Sequence, residues 1–294
     1  MINTMKNGKA SWTAEITAVS RATESIRPAQ ERLLNDVYAE KFIRPSFRLI
    51  LKNRLITSFA LWLMIDRRFP GASATIVSRI RLIDDCLKNC IKDGIEQLVI
   101  LGAGYDARSY RFDELNDRVV FEVDHPNTQK LKIKKVKDIF GILPRHVRYV
   151  PVDFEKDELT TKLSGAGFNQ NLKTLFLWEG VCKYLTPDAV SRILTMVSCN
   201  CCKGSSIVFD YLFQSMVDRS SGSLLADKML NFQVKKDEPF IFGLPDINPE
   251  QTILKKGFSK VKNFTAKRIK SMYINETTRI KKIHPFWGVI HAIV

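Results

Sequence analysis

The run Leu98-Val99-Ile100-Leu101 stops abruptly at Gly102-Ala103-Gly104-Tyr105-Asp106. A short, uninterrupted apolar run bounded by glycines reads as a strand buried on both faces. The two glycines permit a sharp turn into a helix and let a ligand approach the main chain closely. Asp106 stands where it can accept the first amides of that helix. Similar runs recur at 119–123, 147–152, 174–178 and 206–209, separated by stretches of helical periodicity. That alternation predicts a parallel sheet covered by helices on both faces, an α/β fold. Two further strand candidates, at 259–264 and 287–294, bring the count to seven.

Before the first strand the chain reads as helical, so a helical cap and lid is expected over residues 1–95. An α/β core follows over 96–294, with a lid insertion near 212–250 where the periodicity loosens. Phe47, Leu51, Leu55 and Phe59 recur at helical spacing among Lys52, Arg54, Arg67 and Arg68. Packing of that stripe on the core is the expectation, with an interfacial membrane helix as the alternative. After the fourth strand, Thr186-Pro187-Asp188 supplies a helix cap, a first-turn proline and an acidic first turn.

The 294 residues carry 46 Lys and Arg against 31 Asp and Glu, a formal charge of +15. Basic residues concentrate at 130–137 and 255–282. The first group shares a helix with the apolar face Ile133, Val136, Phe140 and Leu143, so its lysines read as the solvated side. With neither an aromatic RNA-binding signature nor a helix-turn-helix pattern, no nucleic-acid partner is expected. No secretory leader and no apolar stretch of membrane-spanning length is legible, which points to a soluble cytoplasmic protein. The six cysteines lack metal-ligand spacing, so they read as buried thiols and no metal is expected.

In open parallel sheets ligands bind beyond the carboxyl ends of the strands. Here the first strand ends in Gly102-x-Gly104, the second in Asp124, the third in Asp153-Phe154 and the fourth in Trp178-Glu179-Gly180. An acid at Asp124 suits the two hydroxyls of a ribose. Asp153 with Phe154 suits an adenine amine and its ring. A pyrophosphate prefers a helix start without negative charge, and Asp106 stands at this one. S-adenosylmethionine carries no phosphate and a positive sulfur, which suits acidic strand ends and the aromatics Tyr105 and Trp178 through cation–π attraction.

The segments LGAGYDARSYR (101–111), FEVDHP (121–126), PVDFEKDEL (151–159), LFLWEGVCKYLTPDAV (175–190) and SIVFDY (206–211) together resemble the leucine carboxyl methyltransferase family. Within it the likeness is to the branch of S-adenosylmethionine-dependent O-methyltransferases acting on small natural products. The resemblance implies a class I methyltransferase fold: a Rossmann-like seven-stranded sheet, mostly parallel, with a reversed last hairpin and an N-terminal helical cap. It also implies that Gly102 and Gly104 border the methionine part of the cofactor, Asp124 holds the ribose, and Asp153 with Phe154 holds the adenine. Glu179 would lie near the methionine ammonium. Arg79, in VSRIRLID, matches an arginine that pairs with the cofactor carboxylate, with Arg81 as its competitor. Arg21, in AVSRATES, corresponds to a basic residue lining the site. Two departures stand out: Asp36-Val37 replaces the usual Asp-Pro, and Cys182-Lys183 interrupts an apolar stretch.

The function expected is S-adenosylmethionine-dependent O-methylation of a carboxylate or hydroxyl on a small-molecule acceptor, and the basic surface suits an anionic one. A carboxylate needs no base, whereas a hydroxyl does. His125 and Tyr211 are the candidates for deprotonating or orienting the acceptor, and Asp210 has an equal claim to Tyr211. Three rivals stay open. Gly102-Ala103-Gly104-Tyr105-Asp106-Ala107 formally fits a dinucleotide fingerprint, which allows an NAD-dependent oxidoreductase. The basic surface allows a nucleic-acid methyltransferase. A family member that binds the cofactor without turnover is the third.

Overall fold

The apolar runs form β1 (Gln97–Leu101), β2 (Val119–Asp124), β3 (Val147–Pro151), β4 (Thr174–Trp178), β5 (Ser206–Leu212), β6 (Lys260–Thr265) and β7 (Trp287–Ile293). They come from a computed structural model that describes residues 12–274 and 282–294. The seven strands join in one sheet of order β3-β2-β1-β4-β5-β7-β6. β1 to β5 pair in parallel, whereas β7 runs antiparallel between β5 and β6. The expected mostly parallel sheet with a reversed last hairpin is present.

Alternation along each strand divides the interior into two cores. Leu98, Ile100, Val120, Leu175, Leu177 and Val208 face one side, together with Leu82, Ile83 and Leu87 of the long helix Ala72–Lys92. Val99, Leu101, Phe121, Phe176, Trp178 and Phe209 face the other, together with Val190, Ile193, Leu194 and Val197 of the helix Pro187–Asn200. That helix begins as its sequence foretells, with Thr186 Oγ1 accepting the amide of Ala189 and Pro187 in the first turn. Full burial of each such aliphatic or aromatic side chain contributes about 1.5–3 kcal/mol, so both faces of the sheet must be covered. Cys86, Cys90, Cys182 and Cys201 are buried within these layers, but the expectation of six buried thiols is corrected at Cys199, which is exposed, and at Cys202, which is half-buried. Among the described residues no helix is long and apolar enough to cross a membrane.

Two expectations about amphipathic helices are corrected. Lys132, placed with the solvated lysines, is 1% exposed and forms an ion pair of 2.8 Å with the equally buried Glu122 of β2. Ser109 and Tyr110 also donate to the Glu122 carboxylate, at 2.7 and 3.0 Å. The stripe Phe47, Leu51, Leu55, Phe59 also splits. Leu51 is buried and Phe47 packs partly on the core, but Leu55 and Phe59 are 77% and 61% exposed. The chain breaks helix at Lys52-Asn53, where Asn53 caps a new helix, Arg54–Leu61, and the face that points inward changes.

The strand order reverses between β1 and β4, because the chain leaves β3 at one edge and returns on the far side of β1. That switch point positions the cleft described below.

The Glu122–Lys132 pair sets a measurable expectation. Lys132→Met keeps the volume of the stem but leaves Glu122 buried without its cation. Urea denaturation is expected to show a loss of about 3 kcal/mol, the scale for breaking one side of a buried pair.

Candidate functional site

A cleft of about 740 Å³ opens at the carboxyl ends of β1, β2 and β4, within the roughly 300–1,000 Å³ typical of small-ligand sites. Gly102, Gly104, Asp124, Asp153, Phe154, Glu179, Arg79 and Arg21 all line it, as does His125. The residues singled out at four strand ends and in two helices therefore meet around one space.

Its floor is the turn after β1. Gly102 has φ +69° and Gly104 φ +42°, left-handed backbone that favours glycine. A Cβ on Gly102 would stand 2.3 Å from Val181 Cγ2, so the β1 and β4 loops close on each other only because that position is bare. Gly104 donates its amide to Asp124 Oδ2, and His125 donates its own to Asp124 Oδ1 at 2.6 Å. Burial pushes the Asp124 carboxyl up to about 6, although those two amides and the charge of Lys132 favour its ionised form.

The next strand end presents Asp153, whose Oδ1 accepts the Glu155 amide at 3.1 Å and whose Oδ2 lies 3.2 Å from Lys156 Nζ. Phe154 is half-buried beside it against the second core.

The β4 side of the cleft is ionic. Glu179 Oε1 accepts Arg79 Nε at 3.0 Å, and Glu179 Oε2 accepts Arg108 Nη1 at 2.7 Å. Arg79 Nη1 donates to Asp210 Oδ2 at 3.0 Å, and Asp210 Oδ1 accepts the amide of Gly180. Burial alone would raise the Asp210 carboxyl, but Arg79 and Lys183 hold it below its usual range. Arg108 also donates Nε to Asp84 Oδ1 at 2.7 Å and Nη1 to Asp106 Oδ2. Against burial, which pushes it up, Arg108 first and then Arg21 and Lys132 hold the Asp106 carboxyl far below its usual range. Asp106 meanwhile accepts the Arg108 amide at 2.7 Å, as its place before the short helix Arg108–Arg111 suggested.

Arg21 ties the N-terminal helix to this turn, donating to Asp36 Oδ2 at 2.5 Å and to the carbonyl of Tyr105. The departure at Asp36-Val37 leaves the acid in place, because Asp36 is buried and also accepts the amides of Tyr38 and Ala39. Arg81 takes no part in the cleft and pairs with Asp85 on its own helix at 3.0 Å.

Tyr211 and Trp178 lie elsewhere than expected. Tyr211 alternates onto the face of Phe209, crosses β7 at Gly288 and donates to Asn263 Oδ1 at 3.0 Å. Its neighbour Asp210 is the β5 residue that turns toward the arginines. Trp178 is fully buried against Phe209, 6.0 Å between ring centroids. His125 caps the helix Pro126–Phe140, with Nδ1 accepting the Asn127 amide at 3.3 Å.

Several residues of the site went unmarked in the sequence. Arg108 and Asp84 lie inside segments that carry the resemblance, 101–111 and 77–84. The mouth of the cleft gathers Thr13, Tyr184 and Glu238, from three distant parts of the chain. Thr13 Oγ1 donates to Glu238 Oε2 at 2.6 Å and lies 3.0 Å from the Tyr184 hydroxyl.

The family model of leucine carboxyl methyltransferases matches residues 14–198, a span that holds every cleft residue discussed above except Thr13, Asp210 and Glu238. The chain belongs to that family. A Bacillus subtilis relative named "Putative S-adenosyl-L-methionine-dependent methyltransferase YktD" is 37% identical over 57% of this chain and 55% of its own length. A Mycolicibacterium gilvum relative with the same name, without the suffix, is 32% identical over 68% of this chain and 65% of its own. The chain thus matches between about half and two thirds of these relatives' lengths. Among solved structures, a Thermobifida fusca protein called a "putative methyltransferase" superposes with a TM-score of 0.58 at 12% identity, covering 97% of this chain and 95% of that one. At that identity the likeness concerns the fold, the class I methyltransferase architecture.

For this member of the family, Arg108→Met is expected to leave Asp84, Asp106 and Glu179 mutually repelling in a buried space. Chemical denaturation should show a loss of about 3–5 kcal/mol. Arg108→Lys should recover little of it, because an ammonium lacks the planar fork that reaches several carboxylates.

Proposed function

We propose that this protein is an S-adenosylmethionine-dependent O-methyltransferase whose acceptor is the carboxylate or hydroxyl of a small molecule. The observation that carries this reading is the meeting of Asp124, Asp153 and Glu179 around one cleft floored by Gly102-x-Gly104. The chemistry of the donor set fits the cofactor. Asp124, buried and bonded to main-chain amides, offers a carboxylate to two vicinal hydroxyls. Asp153 and Phe154 offer an acceptor for an amine and a ring to stack on. Glu179 and Arg79 offer opposite charges side by side, as an amino-acid end group requires. The names of the relatives support the same cofactor.

Bound S-adenosylmethionine supplies a methyl carbon activated by a positively charged sulfur leaving group. The protein's part is to align the acceptor oxygen with that carbon and to keep water out. Arg79, Arg108 and Arg21 hold the β1 and β4 loops rigid, so that the alignment is built before binding. Thr13, Tyr184 and Glu238 crowd the mouth and restrict solvent. Burial pushes the Tyr184 hydroxyl well above its ordinary value, so it stays neutral and, with the Thr13 proton given to Glu238, donates to Thr13 Oγ1. A carboxylate acceptor attacks with its own lone pair and requires no proton to move. The family's name and the formal charge of +15 both favour such an anionic acceptor.

The test is calorimetric titration with S-adenosylhomocysteine beside NADH. Asp124→Asn and Asp153→Ala are each expected to weaken S-adenosylhomocysteine at least about tenfold, with a cooperative melting transition retained. Wild-type affinity in both variants, or tighter binding of NADH, would overturn the reading.

The pH dependence carries a sign. Asp124 must be ionised to accept from both hydroxyls, and burial has raised it to about 6. Affinity is therefore expected to be level above that pH and to fall about tenfold per unit below it. In Asp124→Asn that slope should vanish.

A further inference from the structure

The helix Arg54–Leu61 and the π-helical turn Trp62–Asp66 are built inside out. Leu55, Ile56, Phe59, Trp62 and Leu63 follow the i, i+1, i+4, i+7, i+8 spacing of one apolar face, and each is between 46% and 77% exposed. Thr57, Leu61 and Ile65 turn inward instead. Phe59 and Trp62 stack on each other at 5.8 Å, an aromatic pair presented to solvent. Leu49 on the preceding helix is also 68% exposed. Scattered exposed apolar residues need no explanation, but a contiguous stripe of this size marks an interaction surface.

The rim of the stripe is cationic. Lys52, Arg67, Arg68, Lys228 and Lys235 are all exposed around it. A hollow of about 590 Å³ lies between the turn and the helix Leu224–Lys235, walled by Leu63, Phe232, Arg67, Arg68, Lys228 and Lys235. The Arg68 guanidinium sits 5.1 Å over the Phe232 ring, so the two elements form one surface.

We propose that this face docks the protein on an anionic lipid bilayer. An apolar stripe with exposed Trp and Phe, ringed by Lys and Arg, has the chemistry of a helix lying in the membrane interface. The cations complement negatively charged headgroups, and the apolar side chains gain an apolar phase. A two-fold dimer through the same face would set its cations against each other. A nucleic acid would meet the cations but leave the stripe in water. The docking does not depend on the chemistry of the cleft.

The experiment is vesicle flotation of the full chain, with phosphatidylcholine alone and with phosphatidylcholine mixed with phosphatidylglycerol. Binding is expected on the mixed vesicles only, weakening as salt rises, with a blue shift of tryptophan emission that Trp62→Ser removes. The pair Phe59→Ser, Trp62→Ser and the pair Arg67→Glu, Arg68→Glu are each expected to lower partitioning at least about tenfold. S-adenosylhomocysteine affinity, together with a cooperative melting transition, serves as the check on folding. Failure of the wild-type chain to float with anionic vesicles at low ionic strength would overturn the proposal. So would binding that survives the Phe59, Trp62 pair, since net charge alone would then explain it. Self-association in sedimentation velocity that the same pair abolishes, without vesicle binding, would assign the face to a second copy instead.

Discussion

The buried guanidinium of Arg108 is shared by carboxylates from three elements: Asp84 on the helix Ala72–Lys92, Asp106 in the turn after β1 and Glu179 at the end of β4. Withdrawing one cation and three anions from water is expensive, and it is tolerable only when every donor and acceptor is matched in direction. The planar fork of arginine meets that demand at fixed angles. Arg111 on Asp84, Arg79 on Asp210 and Arg21 on Asp36 extend the same lattice outward. The positions of the β1 and β4 loops follow from it, and so does the width of the cleft between them.

This lattice divides the cleft into two chemical halves. On the β4 side the acids are already matched by arginines, so a ligand end group bearing both charges can exchange into pairs that exist. On the β2 and β3 side Asp124 and Asp153 hold main-chain amides and, for Asp153, a surface lysine. Their carboxylates retain acceptor capacity suited to neutral hydroxyls and amines. A cofactor with an amino-acid end, a ribose and an adenine would meet those halves in that order under the proposed function.

The outer surface has a different logic from the cleft. Inside, cations are held in a shared network of acids. Outside, Arg67, Arg68, Lys228 and Lys235 crowd a hollow beside exposed aromatics. The helix Leu224–Lys235 belongs to both regions, since its Val234 lines the cleft while Lys228 and Lys235 line the hollow.

The central strands β1, β2, β4 and β5 were legible because parallel strands buried on both faces read as apolar runs, and Gly102-x-Gly104 marks the end of the first. The acids Asp124, Asp153 and Glu179 were legible for the same reason, each standing at the end of a run or just past it. What depended on a single-residue step was not. Tyr211 and Asp210 are neighbours, and the register of β5 between β4 and β7 decides which of them faces the arginines. Trp178 and Glu179 part company in the same way, one into the core and one into the cleft. The partners of Arg108 are separated from it by up to 71 positions, and Lys132 looked like one more solvated lysine until β2 placed Glu122 beneath it. The sequence by itself determined the alternation of buried strands and helices, since local apolar periodicity is enough to specify it. Tertiary structure alone decided which charges meet and which apolar face stays outside, because buried ion pairs and helix orientation are settled by neighbours that no local pattern encodes.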